Sequence, residues 1–142
     1  MVIIAAVDRS ARAENVVAQS RILSDAFDTP VHAVHVLTPR EFREIEEDSY
    51  QDTRQTIPME TIREFAEDVA ANALDSAGVT GTSVGLIGRA SSEILSYASE
   101  VGAEYIVVGP RKRSPAGKAL FGSVAQSLLL DADIPVVSVA GQ

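Results

Sequence analysis

The sequence predicts an α/β fold: an open, five-stranded parallel sheet with helices on both faces. Three observations predict it. Apolar runs of strand length alternate with segments whose apolar residues recur at helical spacing, giving β-α-β-α-β-α-β-α-β along the 142 residues. The runs Val2–Val7 and Glu104–Val108 are nearly continuous in apolar residues, the pattern of strands covered on both faces. No internal repeat, low-complexity segment or composition break interrupts the alternation, so residues 1–142 read as one domain with four helices.

Taken in order, Val2–Val7 is a buried strand ending at Asp8, and Ser10 is placed to cap the helix that follows. On that helix Ala13, Val16, Val17, Leu23 and Phe27 share a face, and Pro30 ends it near Asp28. Val31–Leu37 is the second strand. Thr38–Ile57 is polar and acid-rich, with Glu41, Glu44, Glu46, Glu47, Asp48 and Asp52, and its length points to a functional flap or a disordered connection. Pro58 suits the first turn of the next helix, which buries Ile62, Phe65, Ala66, Val69 and Ala73 and stops near Gly78. Ser83–Ile87 is a weaker strand that contains Gly85 and fits an edge position. Ser91–Val101 forms the third helix, with Ile94, Ala98 and Val101 facing inward, and Ser123–Leu130 belongs to the fourth. Ile134–Val139 is the last strand; Pro135 removes a backbone donor, so it too belongs at an edge.

Composition excludes several function classes. Twenty acids against twelve bases give a net charge of −8, which argues against general nucleic-acid binding. Cysteine is absent, so there are no disulfides, thiolate nucleophiles or Cys-based metal sites. No apolar run approaches the roughly 18 residues of a membrane span. Met1 leads straight into an apolar strand without signal-peptide features, so a cytoplasmic protein with no membrane partner is expected. Ten of the twelve bases are arginine, a balance that fits either a salt-loving organism or an arginine-favouring GC-rich genome.

Against this acidic background the stretch Tyr105–Leu130 stands out. Between Gly109 and Gly122 lie Arg111, Lys112, Arg113 and Lys118 with no acid, leaving −12 for the rest of the chain. A strand, a glycine-bounded basic loop and a helix start aim backbone N–H groups and positive charge at one spot, which suits an anion. Ser123 reads two ways, as a phosphate ligand or as a helix N-cap completed by Gln126 in a capping box. Asp8 closes an apolar strand, where a carboxylate needs a partner or a ligand. In an open α/β sheet, ligands bind beyond the carboxyl ends of the strands where strand order reverses. If the strands ending at Asp8 and Gly109 are neighbours, the acid and the basic loop face one crevice.

Other motifs carry less. A receiver-domain reading of Asp8 fails because the third strand ends Leu86-Ile87-Gly88 without an acceptor aspartate. His32 and His35, three apart on a strand, point to opposite faces and do not make one metal site. Gly81-Thr82-Ser83-Val84-Gly85 matches a nucleophile-elbow string but opens a strand rather than following one. Gly117-Lys118 resembles the end of a P-loop, yet Ala119 stands where Ser or Thr is needed.

The segments VDRS after the first strand, HAVHVL in the second, GAEYIVVGP before the basic loop, GSVAQSLL at the last helix and the closing DIPVVSV together resemble the universal stress protein family over nearly the full length. Its nucleotide-binding branch carries G-x2-G-x9-G-S/T. Gly109 and the pair Gly122-Ser123 match at that spacing, while Lys112 stands at the second glycine. The resemblance implies strand order 3-2-1-4-5 and a homodimer through the last strand. It also implies ATP or a related adenine nucleotide, with or without Mg²⁺, lying across the crevice. Asp8 would then sit near the ribose, Val36 near the adenine, and Gly109, Gly122, Ser123 and Val124 around the phosphates. Arg111 and Lys112 join them from the basic loop. Lys112 either closes the site, where a glycine's positive φ is required, or supplies its ammonium to the phosphates. The function implied is a non-catalytic, nucleotide-binding stress-response regulator; the alternative is a nucleotide-free dimeric interaction protein of the same fold. Slow ATP hydrolysis has no support in the residues.

Overall fold

In the computed structural model, residues 1–53, 57–109, 112–113 and 119–140 are described. The chain runs β1 (Val2–Ala6), α1 (Ala13–Phe27), β2 (Val31–Leu37), α2 (Pro39–Thr53), α3 (Met59–Ala77) and β3 (Thr82–Ile87). It continues α4 (Ala90–Val101), β4 (Ala103–Val108), β5 (Lys112–Arg113), β6 (Ala119–Leu120), α5 (Ser123–Asp131) and β7 (Val136–Ser138). Five parallel strands form one sheet in the order β3-β2-β1-β4-β7. This is the 3-2-1-4-5 arrangement, with the weak Gly85 strand at one edge and the strand after Pro135 at the other. The short β5 and β6 pair antiparallel as a separate two-stranded ribbon within the basic stretch.

Side-chain alternation along the strands splits the core in two. Ile3, Ala5 and Val7 join Val31, Ala33 and Val107 beneath α1 and α3. Val2 and Ile4 join Val34, Val36, Ile106 and Val108 beneath α4 and α5. Ile3, Ile4, Ile106 and Val107 are all 0% exposed, as expected of central strands covered on both faces.

The described residues contain five helices rather than four, because the acid-rich stretch expected to be a flap is α2. Its start is built from Thr38, whose Oγ1 accepts the Glu41 N–H at 3.2 Å, followed by Pro39 in the first turn. Phe42 and Ile45 then pack beside Leu37, Ile62 and Ala66 in a third, smaller apolar cluster. Two apolar residues at helical spacing thus anchor a segment whose remaining faces are charged.

Other differences are local. Phe27 is half exposed at the end of α1, stacked on Tyr105 with ring centroids 5.5 Å apart. Helix α3 buries Ala70 and Leu74, whereas Phe65 and Val69 are only partly covered. Gly85 explains how α3 reaches its edge strand. A Cβ there would lie 2.5 Å from the Arg63 carbonyl oxygen and against the Glu67 backbone nitrogen. The absent side chain lets helix backbone rest directly on strand backbone.

Candidate functional site

A cavity of about 290 Å³ opens beyond the carboxyl ends of β1, β2 and β4, at the lower end of ligand-sized volumes. Because β1 pairs with both β2 and β4, the crevice forms where the strand order reverses. Asp8 and Gly109 therefore border one space, together with Val36, Gly122, Ser123 and Val124. Its apolar walls include Ala6, Val34, Val108 and Ile94.

Asp8 is held in place by the turn that follows it. Its Oδ1 accepts the Ser10 N–H at 2.9 Å and the Ser10 hydroxyl at 2.6 Å. Ser10 Oγ in turn accepts the Arg12 N–H at 3.3 Å, and the Ser10 carbonyl accepts the Ala13 N–H at 3.2 Å. Ser10 is thus not the cap residue of α1. It forms a tight turn that leads into the helix, whose cap position is Arg12 with helical φ and ψ. That turn leaves Asp8 exposed at the cavity edge with its carboxylate oriented.

At the opposite strand, Gly109 allows a close approach: a Cβ would sit 3.0 Å from Val16 Cγ2 of α1. Helix α5 begins one residue earlier than a Ser123 cap requires. Gly122 occupies the cap position with φ −73° and ψ 173°, and no side chain caps the helix. The Gln126 N–H bonds the Gly122 carbonyl at 3.1 Å, and its side-chain amide reaches toward the Phe121 carbonyl at 3.5 Å, so the expected capping box does not form. Ser123 instead lies in the first turn of α5 as a cavity wall.

Arg111 lies outside the described residues. The backbone of Lys112 is described: it pairs antiparallel with Leu120. Among the described residues Asp28 is the one non-glycine with positive φ, so residue 112 has ordinary extended backbone and carries no cost for lacking a glycine.

Two residues outside the expected nucleotide site complete the polar surroundings: Arg12, and Glu41 from the acid-rich stretch expected to be a flap. Arg12 lines the cavity, and its Nε is buried with no hydrogen-bond partner among the described residues. Glu41, at the start of α2, reaches under the cavity edge to His35 and is bridged to Arg9 at 3.0 Å. His35 Nδ1 lies 2.8 Å from the Val7 carbonyl oxygen and Nε2 lies 3.2 Å from Glu41 Oε1. Burial alone would lower the His35 pKa, but the Glu41 hydrogen bond, the Val7 carbonyl and the charges of Glu41 and Asp8 together raise it. Burial likewise works against the Glu41 carboxylate and is outweighed by His35, Arg9 and the Thr38 bond, which hold its pKa below the usual range. His32 is separate, with Nδ1 2.7 Å from the Tyr97 hydroxyl; burial and the chain's amino terminus lower its pKa. The two histidines have different partners, in agreement with their opposite strand faces.

The model described as the universal stress protein family matches residues 1–140. The chain belongs to the universal stress protein family. A universal stress protein of Mycolicibacterium smegmatis is 48% identical over 50 residues, 35% of this chain. That match spans 38% of the relative's own length. The solved structure of the universal stress protein from Archaeoglobus fulgidus is 29% identical with a TM-score of 0.63, covering 98% of this chain and 97% of that one. A structure of the universal stress protein from the same organism in complex with dAMP is 25% identical with a TM-score of 0.59, covering 98% and 96%. The fold shared with these structures extends over nearly the whole chain. Among the described residues, no helix is long and apolar enough to cross a membrane.

Proposed function

We propose that this universal stress protein-family chain binds an adenine nucleotide, ATP or a close relative, and acts as a regulatory rather than a catalytic protein. The observation that carries the reading is the gathering of Asp8, Val36, Gly109, Gly122, Ser123 and Val124 around one ligand-sized cavity. The residues present suit such a ligand. Val36 and the surrounding aliphatic wall offer an apolar slot for a base. The Asp8 carboxylate, pre-oriented by Ser10, offers an acceptor for ribose hydroxyls. The backbone at Gly122 and Ser123, at the start of α5, offers N–H donors for phosphate. Arg111 and Lys112 belong to the same basic stretch and add charge near the phosphates, where Mg²⁺ would accompany a triphosphate. The dAMP of the Archaeoglobus relative supports the adenine class of ligand.

The protein acts as a homodimer through β7, which ends the sheet and is paired on one side to β4. No step of bond breaking is assigned to its residues. Calorimetric titration of ATP, AMP and GTP into the wild type and Asp8→Ala tests the reading. Adenine nucleotides are expected to bind, with affinity falling about tenfold in Asp8→Ala for the lost charged acceptor. Phosphate release from bound ATP is expected to stay at background. Absence of binding by any nucleotide would replace this reading with the nucleotide-free interaction dimer.

A further inference from the structure

Arg12 combines three properties that the nucleotide reading does not use. Its side chain lines the cavity alongside Asp8 and Ser123. Its Nε is buried and has no acceptor among the described residues. It takes part in no ion pair among those residues, whereas nearby Arg9 is engaged by Glu41 and Glu44. A guanidinium N–H withdrawn from water without an acceptor is an uncompensated donor. The cavity lining includes the side-chain acceptors Asp8, Thr38, Glu41 and Ser123, yet none of them pairs with Arg12 Nε. Asp8 Oδ1 accepts from Ser10, and neither Asp8 oxygen accepts from Arg12 Nε. An acceptor entering the cavity would complete the Arg12 donor set. The planar fork of Arg, with its Nε–H and an adjacent Nη–H, matches two oxygens of a phosphate.

We propose that Arg12 is a ligand for the anionic part of whatever the cavity holds, and that it sets the site's preference for phosphorylated over unphosphorylated nucleosides. The identity of the nucleoside rests on the reading above; the charge of the ligand does not. Arg12 approaches from the start of α1, whereas the N–H donors at Gly122 and Ser123 approach from the start of α5. A phosphate between them is held from two elements on opposite faces of the sheet.

The test titrates AMP, adenosine and inorganic pyrophosphate separately into the wild type, Arg12→Met and Arg12→Lys. Affinity is read by calorimetry, and the Arg12 Nε–H by ¹⁵N NMR in the wild type. Met keeps the apolar stem, and no described ion pair is lost with the charge. The wild type should bind AMP more tightly than adenosine. Arg12→Met should weaken AMP by about 10- to 100-fold, as for loss of a charge-assisted hydrogen bond, with adenosine unchanged. Arg12→Lys should fall between. Equal losses for AMP and adenosine, or no loss for either, would overturn the proposal. If the wild type binds neither AMP nor adenosine, the nucleotide reading falls and pyrophosphate decides. A pyrophosphate-induced shift of the Arg12 Nε–H resonance then upholds Arg12 as an anion ligand, and no shift with any probe overturns it.

Discussion

His35 and Glu41 are joined so that both ring nitrogens of the histidine face acceptors, the Val7 carbonyl at 2.8 Å and the Glu41 carboxylate at 3.2 Å. Neutral imidazole has one N–H to give, so this arrangement favours the imidazolium. The ion pair ties the first turn of α2 to β2, and the Val7 carbonyl contact extends the link to the residue after β1, beside the cavity. His35 is 5% exposed and the Glu41 side chain 13%, so water screens the pair weakly.

A stability profile with a defined window follows from that pair. The folded pKa of His35 is raised above 6.5, so its contribution is complete below pH 6.5 and is lost as pH rises through the folded value. The folded pKa of Glu41 is lowered below 4.5, so its contribution is complete above pH 4.5 and is lost as pH falls through the folded value. Urea unfolding across pH should show this contribution at full strength between those limits. In Glu41→Gln the alkaline loss attributable to His35 should shrink, and stability at pH 5.5 should drop by about 1–3 kcal/mol. An unchanged pH profile in that variant would contradict the pairing.

Gly85 should be intolerant for a steric reason. Gly85→Ala places a methyl group against the α3 backbone at Arg63 and Glu67, and should cost about 3 kcal/mol by overpacking. Gly102→Ala, where φ is 64° and nothing lies within 4 Å of the added Cβ, should cost about 1 kcal/mol from backbone conformation alone. Equal costs in chemical denaturation would mean that α3 does not rest on β3 as described.

Lys112 should be compatible with ligand binding as it stands. Its backbone pairs with Leu120 in extended conformation, so no glycine is needed there for positive φ. Nucleotide affinity in Lys112→Gly should be equal to or weaker than in the wild type. Binding that appears in the glycine variant alone would show that the lysine closes the site.

Gly122→Val should separate the cavity from the fold. With φ −73° and ψ 173°, residue 122 has backbone open to any L-residue, so the branched side chain fits the chain path and crowds the cavity wall. Nucleotide affinity should fall more than about tenfold while far-ultraviolet circular dichroism stays unchanged. Full retention of affinity would move the phosphates away from the start of α5.

Much of this was legible in the sequence because it depends on local pattern. The unbroken apolar run from Val2 marked a central strand, and Gly85 and Pro135 marked the two edges. The glycine-serine pair at Gly122 and Ser123 signalled the start of the last helix, and both residues line the cavity. Helix α2 was missed because its acids outweigh Phe42 and Ile45 in any reading by composition. Its signal was the string Thr38-Pro39-Arg40-Glu41, a cap, a first-turn proline and an acid at the third helical position. In the fold the Glu41 carboxylate turns to His35 and Arg9 instead of closing a capping box. Such a choice depends on the spatial neighbourhood, as does the isolation of Arg12 Nε. Sequence spacing correctly separated His32 from His35 but held no information about their partners.

The most direct test of nucleotide binding is thermal unfolding with and without saturating Mg-ATP, at low and high KCl, with inorganic phosphate as the control. Saturation at about 100 times the dissociation constant adds roughly 2.7 kcal/mol, which corresponds to a rise of about 5–10 °C for a domain of this size. Such a rise is expected with ATP, persisting in salt and larger than that given by phosphate. No shift in either salt, or a shift matched by phosphate, would contradict it.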